Sequence, residues 1–561
     1  MTCFKKQNMN IRWLNKNSEA FLKKDYLLPG QTVQERIRII GDYAQKVLTD
    51  SAKENYYDFS SFSDQLVEYV SKGWISFSTP IWTNFGTNRG LPISCFNSHF
   101  SDSVSSILET NAEIGIMTKL GGGTSGYFGD IRGRGSLIKD NGSSNGTYPF
   151  LAYTQATTSV ISQGSTRRGY FAGYIDIYHS DIEEWLNIRK EGDVIQHVTW
   201  GVCVPSWWLN EMREGDEKKR ELWARVITKK FETGLPYIFY TDNANNGESV
   251  PDIYKGRIKS SNLCTEIMEP SDENESFVCD LASLNDLYYD EWKDTNCVEV
   301  VTFLLDAAMT EFIDKASQYK FMEKAVRFAK RHRAIGIGRL GYHSLLKSKM
   351  IPFESLEARN INILIQKNIQ EQSILASKKL AYIFGECEET KGLGRRNTVL
   401  QAIAPTTSSA FIMQVSQSIE ADMSNLMIKD LAKGKFTIKD KYLVSLLESK
   451  KKNTDEVWED ILKHNGSVLH LEFLTDEEKA VFKTAREISQ EEVILQASHR
   501  QKFIDQGQSL NLFITADTTA KEVNKLLLLA HDKGLKSLYY QHNVSAASTF
   551  AKKFQNCASC E

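Results

Sequence analysis

Gly173-Tyr-Ile-Asp-Ile-Tyr178, followed closely by Ser180-Asp-Ile-Glu183, is the stretch of sequence that decides the fold class. The first run is rich in β-branched and aromatic residues, which is typical of a strand. The second run predicts a capping box, in which Ser180 and Glu183 begin a helix. From Trp74 onward, short apolar runs alternate with helical patterns in the same way. This alternation predicts an α/β domain with a largely parallel sheet, either open or closed as a barrel.

A helical region is predicted ahead of this domain. Thr32 and Glu35 form another capping box, and apolar residues follow it at spacings of four and three. They are Val33, Ile37, Ile40, Ala44 and Val47. We therefore expect roughly the first 70 residues to be helical. A further long helix is predicted from Glu357 to about Ile383.

The composition excludes several classes of function. The chain has 561 residues, of which 41% are hydrophobic, and its formal charge is 68 − 71 = −3. So small a charge provides no basic surface for nucleic acid or for an anionic membrane. The sequence contains no run of about 18 apolar residues, so no membrane span is predicted. The N-terminus also lacks the apolar core of a signal peptide. We therefore expect a cytoplasmic protein whose nine cysteines are reduced, some of them with a chemical role.

The segment Ser260-Ser-Asn-Leu-Cys-Thr-Glu266 carries the central candidate chemistry. Asn262, Cys264 and Glu266 occupy alternate positions, and alternate side chains of an extended segment share one face. An amide, a thiol and a carboxylate that project together can bind a polar substrate, abstract an atom through sulfur and accept a proton. The same pattern fits an ordinary half-buried strand with one core cysteine. The segment alone leaves both interpretations open.

Two further cysteines lie in strand-like settings. Phe277-Val-Cys279-Asp-Leu follows a polar loop and predicts a strand that returns Cys279 toward Cys264. Cys95 lies far upstream in Leu91-Pro-Ile-Ser-Cys95-Phe. Only the fold can bring Cys95 and Cys279 together, so the sequence alone leaves their pairing open.

Two short motifs stand near the end of the sequence. Tyr539 and Tyr540 are adjacent, which is usual for core or edge-strand residues, although phenols can also relay a proton-coupled electron. Cys557 and Cys560 form a Cys-x-x-Cys pair, which is a redox or a metal signature. No second pair of ligands lies nearby, which favours a dithiol that reduces another site. We expect the segment from about Ala546 to be mobile.

These motifs, in this order, resemble the catalytic (large) subunit of class I ribonucleotide reductase, from about Leu28 to Glu561. The resemblance implies an α/β fold in which a ten-stranded α/β barrel surrounds a central finger loop, preceded by a helical N-terminal region. It implies three parts: a helical region over 1–75, the catalytic barrel with its effector-site loops over 76–545, and a redox-shuttle tail over 546–561. Many family members also begin with an ATP-cone domain, for which the residues before Leu28 are too few. We therefore expect control of specificity without an activity switch on this chain.

The resemblance also implies an activity, the reduction of ribonucleoside diphosphates to 2′-deoxyribonucleoside diphosphates for DNA precursor synthesis. A hole from the small subunit passes through the two tyrosines to Cys264, whose thiyl radical removes the ribose 3′-hydrogen. Glu266 takes the 3′-hydroxyl proton, and Asn262 orients the substrate. Cys95 and Cys279 supply two reducing equivalents, and the terminal pair then reduces their disulfide. The implied catalytic residues are Cys264, Glu266, Asn262, Cys95, Cys279, Tyr539, Tyr540, Cys557 and Cys560.

Two groups of binding residues follow from the resemblance. A hydroxyl-rich loop, Ala404-Pro-Thr-Thr-Ser-Ser-Ala410, precedes a helical pattern. The resemblance implies that this loop binds the substrate diphosphate, which hydroxyls and free amides at a helix start suit. A simple helix cap has the same sequence pattern. The implied substrate-binding residues are Thr79, Ser94, Pro405, Thr406, Thr407, Ser408 and Ser409. The implied effector-binding residues are Asp102, Ser103, Arg132 and Arg168.

The implied partners and cofactors complete the set of expectations. The chain is expected to bind no metal and no cofactor of its own, because the dinuclear-metal/radical cofactor belongs to the small (beta) subunit. A deoxyribonucleoside triphosphate or ATP acts as the effector that sets substrate specificity. Thioredoxin or glutaredoxin is expected to supply electrons. The chain is expected to form a homodimer, with residues 104–118 as the candidate interface. Neither nucleic acid nor a membrane is expected as a partner.

Three other interpretations account for part of the sequence. An adenosylcobalamin-dependent reductase would share the three central cysteines and Glu266, but it needs no double tyrosine. A glycyl-radical enzyme would need a radical glycine loop, and Gly534 lies in no such setting. A non-catalytic paralogue that binds nucleotides or sequesters the small subunit is disfavoured by the complete set of reactive residues.

Overall fold

The computed structural model describes residues 10–52, 57–163, 169–431 and 434–543. The strands are β1 Ile75–Phe77, β2 Cys95–His99, β3 Gly123–Tyr127, β4 Phe171–Asp176, β5 Thr199–Val204, β6 Tyr237–Tyr240, β7 Phe277–Asn285, β8 Ile335–Leu340, β9 Leu426–Leu431, β10 Gly434–Lys439, β11 Leu512–Ile514, β12 Ser537–Leu538 and β13 Gln541–Asn543. The helices are α1 Lys16–Asp25, α2 Val33–Ser51, α3 Phe62–Ser71, α4 Thr79–Asn84, α5 Val104–Lys119, α6 Tyr148–Val160, α7 Ile182–Trp185, α8 Ser206–Glu214, α9 Glu217–Thr233, α10 Thr241–Asn246, α11 Tyr289–Trp292, α12 Cys297–Ala316, α13 Glu323–His332, α14 Tyr342–Ser348, α15 Leu356–Phe384, α16 Thr407–Met413, α17 Lys441–Ser449, α18 Asp455–Lys463, α19 Asp476–Val481, α20 Gln490–Gln501 and α21 Ala520–Asp532. Short 3-10 turns span Asp252–Tyr254, Asp286–Tyr288 and Glu388–Thr390.

Five parallel strands form the first half of the main sheet. They are β2 to β6, hydrogen-bonded in chain order. All their residues are buried. Burial on both faces is typical of a parallel sheet covered by helices and explains the near-continuous apolar runs in the sequence. The strand predicted from Gly173 is therefore confirmed as β4, which begins two residues earlier at Phe171.

A second set of five parallel segments completes the sheet. β7 pairs with β8, and β8 is bridged to the segment 399–403 through Ile337 and Gln401. That segment is bridged to the next one, 506–514, through Ile403 and Gln508. The segment 506–514 ends in β11, which pairs with β13 of the fifth segment, 537–543.

Two antiparallel seams join the two halves. At the first seam, β2 pairs with β7, and at the second, β6 pairs with β12. The ten segments therefore close into a barrel, which confirms the predicted α/β barrel fold. Closure removes the open edges of both half-sheets and leaves an interior that a loop can occupy.

The N-terminal helices pack on the second half of the barrel. In α2, the Thr32 hydroxyl caps the Glu35 amide, and the Glu35 carboxylate accepts from the Thr32 amide at 2.8 Å, so this capping box is confirmed. The buried faces of α1 to α3 share one apolar core with α12 and with α15, the long helix predicted from Glu357. The boundaries proposed at residues 75 and 545 remain predictions.

The capping box predicted at Ser180 and Glu183 is wrong. α7 has only four residues, its N-cap position is Asp181, and no side chain caps it. The Asp181 carboxylate instead accepts hydrogen bonds from the backbone amides of Arg134 and Thr147, both at 2.7 Å. Tertiary contacts therefore engage the carboxylate at the N-cap position of α7, and no side chain caps the helix. Within the described ranges, no helix is long and apolar enough to cross a membrane.

Candidate active site

The segment around Cys264 crosses the interior of the barrel as a loop. It lies between the turn that ends at Tyr254 and the start of β7, and residues 260–270 are all buried. The extended conformation predicted for this segment is wrong, because the chain turns at Leu263 and Cys264 and Thr265 has φ +69°. A threonine in the left-handed region is uncommon and persists only where surrounding contacts impose it.

Strand residues from both halves of the barrel impose this conformation. Tyr174 of β4 donates its phenol proton to the Asn262 carbonyl at 2.6 Å. From the second half, the Ser509 hydroxyl donates to the Cys264 carbonyl at 2.6 Å, and the Ser537 hydroxyl to the Thr265 carbonyl at 2.7 Å. The loop that carries Cys264 is therefore held from both sides, as expected of a finger loop in a closed barrel.

Two tyrosines form a column of rings that ends at the Cys264 sulfur. The Tyr539 phenol donates to Cys264 Sγ at 3.5 Å, and the ring centroids of Tyr539 and Tyr540 are 4.4 Å apart. Tyr237 of β6 packs against both rings, at 4.8 and 5.1 Å. Tyr237 is not among the residues predicted from the sequence, because it looks like any aromatic residue of a buried strand. The predicted pair Tyr539 and Tyr540 and the thiol they were expected to serve are brought together.

Cys95 and Cys279 lie directly opposite each other across the first seam. Opposed residues of antiparallel strands have Cα atoms about 4.5–5.5 Å apart, which is within the range that a disulfide spans. Both are free thiols in this structure. The Asn262 amide donates to Cys95 Sγ at 3.2 Å, which links this pair to the finger loop. The fold thus supplies the pairing that the sequence left open.

The Glu266 carboxyl is buried beside Cys264. The Ser509 hydroxyl donates to it at 3.0 Å. Burial raises the pKa of Glu266 from 4.5 to about 7, because desolvation disfavours the charged form more than its hydrogen bonds favour it. A carboxyl with a pKa near 7 exchanges a proton readily at neutral pH, as general acid–base catalysis requires.

A pocket with about 580 Å³ of empty space joins these groups. Its wall contains Cys95, Cys264 and Glu266. Six of the seven predicted substrate residues line it, namely Thr79, Ser94, Pro405, Thr406, Ser408 and Ser409. Thr407 does not, because its hydroxyl donates outside the pocket to Gln417 at 3.2 Å.

The loop before α16 offers polar groups to this pocket. Thr406 has φ +57° and precedes the helix, and the buried Ser408 hydroxyl has no hydrogen-bond partner in the described part of the chain. A buried unpartnered hydroxyl costs free energy unless a ligand or water satisfies it. This loop therefore fits an anionic group that enters the pocket.

Three of the four predicted effector residues lie together at the start of α5. The Arg132 guanidinium donates to the Asp102 carboxylate at 2.7 Å, and the Arg132 amide donates to the same group at 3.2 Å. Ser103 is the N-cap of α5 and accepts from the Ser106 amide. Arg168 lies outside the described residues, so its position relative to this group stays a prediction.

One cluster of potential metal ligands occurs in the described ranges, away from the residues predicted to be functional. The ligand atoms of Asp460, His464 and His470 lie within 4.8 Å of one another. The Asp460 carboxylate contacts both imidazoles, at 3.3 and 3.1 Å, and so partners these rings without a metal. All three belong to the segment 426–482, which packs around a small apolar core of its own.

Comparison with known proteins shows which family this chain belongs to. The family model for the ribonucleotide reductase barrel domain matches residues 93–219, 208–393 and 386–541. The chain belongs to the ribonucleotide reductase family. It is 33% identical over 610 residues to the ribonucleoside-diphosphate reductase large subunit of Invertebrate iridescent virus 3, with 94% of this chain and 92% of that protein covered. It is 29% identical over 551 residues to the large subunit of Caenorhabditis elegans, with 84% of this chain and 69% of that protein covered.

A solved structure agrees with these matches. The class Id ribonucleotide reductase alpha subunit of Actinobacillus ureae is 49% identical, with a TM-score of 0.88, and the match covers 98% of this chain and 99% of that one. The chain is therefore a ribonucleoside-diphosphate reductase large subunit, an oxidoreductase of deoxyribonucleotide synthesis. A large subunit implies a small-subunit partner.

The predicted site residues of this reductase divide into three groups. The thiols Cys95, Cys264 and Cys279, the carboxyl of Glu266 and the Tyr539–Tyr540 pair meet at the pocket or directly behind it. The Asp102–Arg132 pair is formed at a separate place. Cys557 and Cys560 lie outside the described residues, so their assignment rests on the sequence.

Proposed function

We propose that this reductase converts ribonucleoside diphosphates to 2′-deoxyribonucleoside diphosphates by a thiyl-radical mechanism. The observation that carries the proposal is the 3.5 Å contact from the Tyr539 phenol to Cys264 Sγ, with Cys264, Cys95 and Glu266 on the wall of one pocket. A redox-active column of tyrosines that ends on a buried thiol, beside a carboxyl and a dithiol, suits radical reduction of a sugar.

Radical entry begins at the tyrosine column. The dinuclear-metal/radical cofactor of the small subunit supplies the oxidising equivalent. Tyr540 packs on Tyr539, so an electron hole passes from the first ring to the second. The oxidised Tyr539 then takes a hydrogen atom from the Cys264 thiol, which becomes the thiyl radical. Tyr540 is only half-buried, which leaves it within reach of a docked partner subunit.

Reduction of the ribose then uses the groups on the pocket wall. The Cys264 thiyl removes the 3′-hydrogen and becomes a thiol, while Glu266 accepts the 3′-hydroxyl proton. The 2′-hydroxyl leaves as water with one hydrogen of the Cys95–Cys279 pair, and the other hydrogen goes to C2′. The pair supplies the two electrons and ends as a disulfide. Glu266 then returns the proton to the 3′-oxygen, and Cys264 returns its hydrogen atom to C3′, which restores the thiyl radical. Asn262 positions Cys95, and the hydroxyls of Thr406, Ser408 and Ser409 hold the diphosphate.

The disulfide must be reduced before the next turnover. We assign this step to Cys557 and Cys560, which exchange thiols with the Cys95–Cys279 disulfide and are themselves reduced by thioredoxin or glutaredoxin. Support for this assignment comes from the Cys-x-x-Cys motif and from the position of Cys95 on the pocket wall. Replacing Cys557 by serine tests it, because turnover with thioredoxin is then lost while turnover with a small dithiol remains.

Regulation and assembly form the last part of the proposal. A deoxyribonucleoside triphosphate or ATP binds at the Asp102–Arg132 pair and sets substrate specificity, with Arg168 reaching toward the substrate base. A homodimer forms through α5, on which Val104 and Leu108 are 66% and 52% exposed. Two large apolar side chains exposed on one helix suit a protein interface. The enzyme acts in the cytoplasm.

The decisive experiment is reconstitution with the small subunit. The two subunits, a dithiol and each ribonucleoside diphosphate are incubated with each effector in turn, and deoxynucleotide is quantified by chromatography. Product should form only when both subunits are present, and the favoured substrate should change with the effector. The control is Cys203→Ala, which removes a buried cysteine of β5 outside the pocket and should leave product formation intact. Product formed without the small subunit would contradict radical entry through Tyr540.

A further inference from the structure

Three side chains of the kinds that ligate metal ions meet at the surface of the segment 426–482. They are Asp460, His464 and His470, whose ligand atoms lie within 4.8 Å of one another. Asp460 belongs to α18, His464 follows the last residue of that helix, and His470 lies beyond the turn that comes next. None of the three lines the substrate pocket. The fold thus places two imidazoles and a carboxylate together outside the reductase site.

The separations between these atoms fit a single bound ion. Asp460 Oδ1 is 3.3 Å from His464 Nδ1, and Asp460 Oδ2 is 3.1 Å from His470 Nε2. Two ligand atoms about 2.0–2.1 Å from a zinc ion are about 3.3 Å apart when the coordination is tetrahedral. The two imidazole rings are stacked, with centroids 3.7 Å apart and an angle of 22° between their planes. One carboxylate and two nitrogens therefore surround a common point.

The Asp460 carboxylate holds the two rings in place when no ion is bound. His464 Nδ1 also contacts the Asp460 carbonyl at 2.9 Å. The outer nitrogens, His464 Nε2 and His470 Nδ1, have no hydrogen-bond partner within the described ranges. Since a neutral imidazole carries its proton on either nitrogen, a change of tautomer moves that proton outward and frees the inner nitrogen for an ion.

The backbone that carries His470 is fixed by its neighbours. The Gly466 amide donates to the Ile461 carbonyl at 2.8 Å, which closes the turn after α18. Val468 and Leu471, on either side of His470 in the sequence, are both buried in the small apolar core of this segment. Ligands held by rigid neighbours lose little conformational freedom when they bind. The three side chains therefore form a preorganised site.

The set of donor atoms selects the kind of ion. Magnesium and calcium ions prefer oxygen ligands, and calcium takes six to eight of them. Two imidazoles and one carboxylate suit zinc, which binds such sets of three in proteins and leaves a fourth position to water. The side chains of Asp460 and His464 are 45% and 49% exposed, so an ion can enter from solvent and keep a water ligand.

We propose that Asp460, His464 and His470 bind a zinc-type divalent cation, which joins the end of α18 to the turn that follows it. Neither the sequence pattern nor the family resemblance predicts a metal ion on this chain. The segment 426–482 packs around a small core of its own, and cores of this size bury little apolar surface. A structural metal ion is a common addition in such units, and here it stabilises the segment.

Isothermal titration calorimetry with Zn²⁺ tests the site on the full chain after treatment with a chelator. The parent protein for this test carries Cys557→Ser and Cys560→Ser, because a Cys-x-x-Cys pair also binds zinc. One equivalent of Zn²⁺ should bind. Titration with Co²⁺ instead should give the visible absorption of a four-coordinate ion with nitrogen and oxygen ligands, without the near-ultraviolet absorption of a thiolate ligand.

Variants made in the parent protein locate the ion. His470→Gln and Asp460→Asn should each weaken Zn²⁺ binding at least about tenfold, or about 1.4 kcal/mol. His197→Gln is the matched control, since His197 is an exposed histidine in another part of the chain, and it should bind as the parent does. Three results would overturn the site: no Zn²⁺ binding by the parent, unchanged binding by His470→Gln, or thiolate absorption with Co²⁺.

Hydrogen exchange followed by mass spectrometry tests the stabilising role. Zn²⁺ should slow amide exchange over α18 and residues 464–471 in the parent protein and leave it unchanged in His470→Gln. Exchange that stays the same in the parent while Zn²⁺ is bound would show that the ion does not join α18 to the turn. These measurements use no reductase turnover, so their outcome is independent of the proposed radical mechanism.

Discussion

Replacing Glu266 by glutamine is expected to abolish activity and, at the same time, to stabilise the protein at alkaline pH. The pKa of Glu266 is raised from 4.5 to about 7 by burial, so the folded state holds this proton more tightly than the unfolded chain does. Below pH 4.5 both states are protonated and the group leaves stability unchanged. As pH rises from 4.5 to about 7 the unfolded state alone ionises, so stability falls, and above about 7 the full cost of the buried charge remains.

The size of the effect follows from the shift. A change from 4.5 to about 7, at about 1.36 kcal/mol per pH unit, costs the folded protein about 3 kcal/mol at alkaline pH. Glutamine carries no charge to bury, so the substitution removes that cost. An unfolding entropy of about 2.1 cal/mol/K per residue gives about 1.2 kcal/mol/K for 561 residues. The Tm of Glu266→Gln should therefore exceed that of wild type by about 3 °C at pH 8.5 and by less than about 1 °C at pH 5.

Differential scanning calorimetry at these two pH values measures the stability effect, and initial rates measure the catalytic one. Wild-type turnover should rise with pH through a midpoint near 7, because only the carboxylate accepts the 3′-hydroxyl proton. Glu113→Gln is the control, since Glu113 is equally buried, is bonded to Ser98 and Ser276, and also has a pKa raised to about 7. It should gain the same stability and keep its activity. An equal Tm difference at both pH values, or turnover by Glu266→Gln, would refute the reasoning.

Three further substitutions test the radical path and the effector site. Cys264→Ser should lose nucleotide reduction while substrate binding, followed by calorimetry, stays within about twofold; measurable turnover would remove Cys264 from the radical step. Tyr539→Phe should be inactive with the small subunit because phenylalanine cannot carry the hole, and normal product formation would exclude the relay. Arg132→Leu breaks the 2.7 Å pair with Asp102 and should weaken effector binding about tenfold, or about 1.4 kcal/mol, with unstimulated turnover retained. Unchanged effector affinity would move the effector site elsewhere.

The elements that sequence predicted well are those specified by local pattern. The capping box of α2 and the span of α15 depend on residues a few positions apart, and both are found where expected. The finger loop is different. Its alternating residues predicted an extended segment, but hydroxyls of Ser509 and Ser537, more than 240 positions away, hold it in a turn. Tertiary hydrogen bonds of this kind leave no periodic signal in the loop itself.

Single residues of the site show a further limit of local pattern. Tyr237 looks like a core aromatic residue, because its contact with Tyr539 joins residues that are distant in sequence. Thr407 shows the opposite error. It lies in the correct hydroxyl-rich loop, but the left-handed turn at Thr406 and the bond to Gln417 direct its hydroxyl away from the pocket.

The closed barrel separates the proposed reducing pair from the proposed radical path. Cys95 and Cys279 are opposed at the seam between β2 and β7, whereas Tyr539 follows β12 at the seam with β6. Five strands separate the two seams in either direction around the closed ring of ten. The seams therefore face each other across the finger loop. In the proposed mechanism, oxidising equivalents therefore approach Cys264 from one seam and reducing equivalents from the other. The register at each seam is critical, since a shift of one residue in β7 would turn Cys279 to the opposite face and separate it from Cys95.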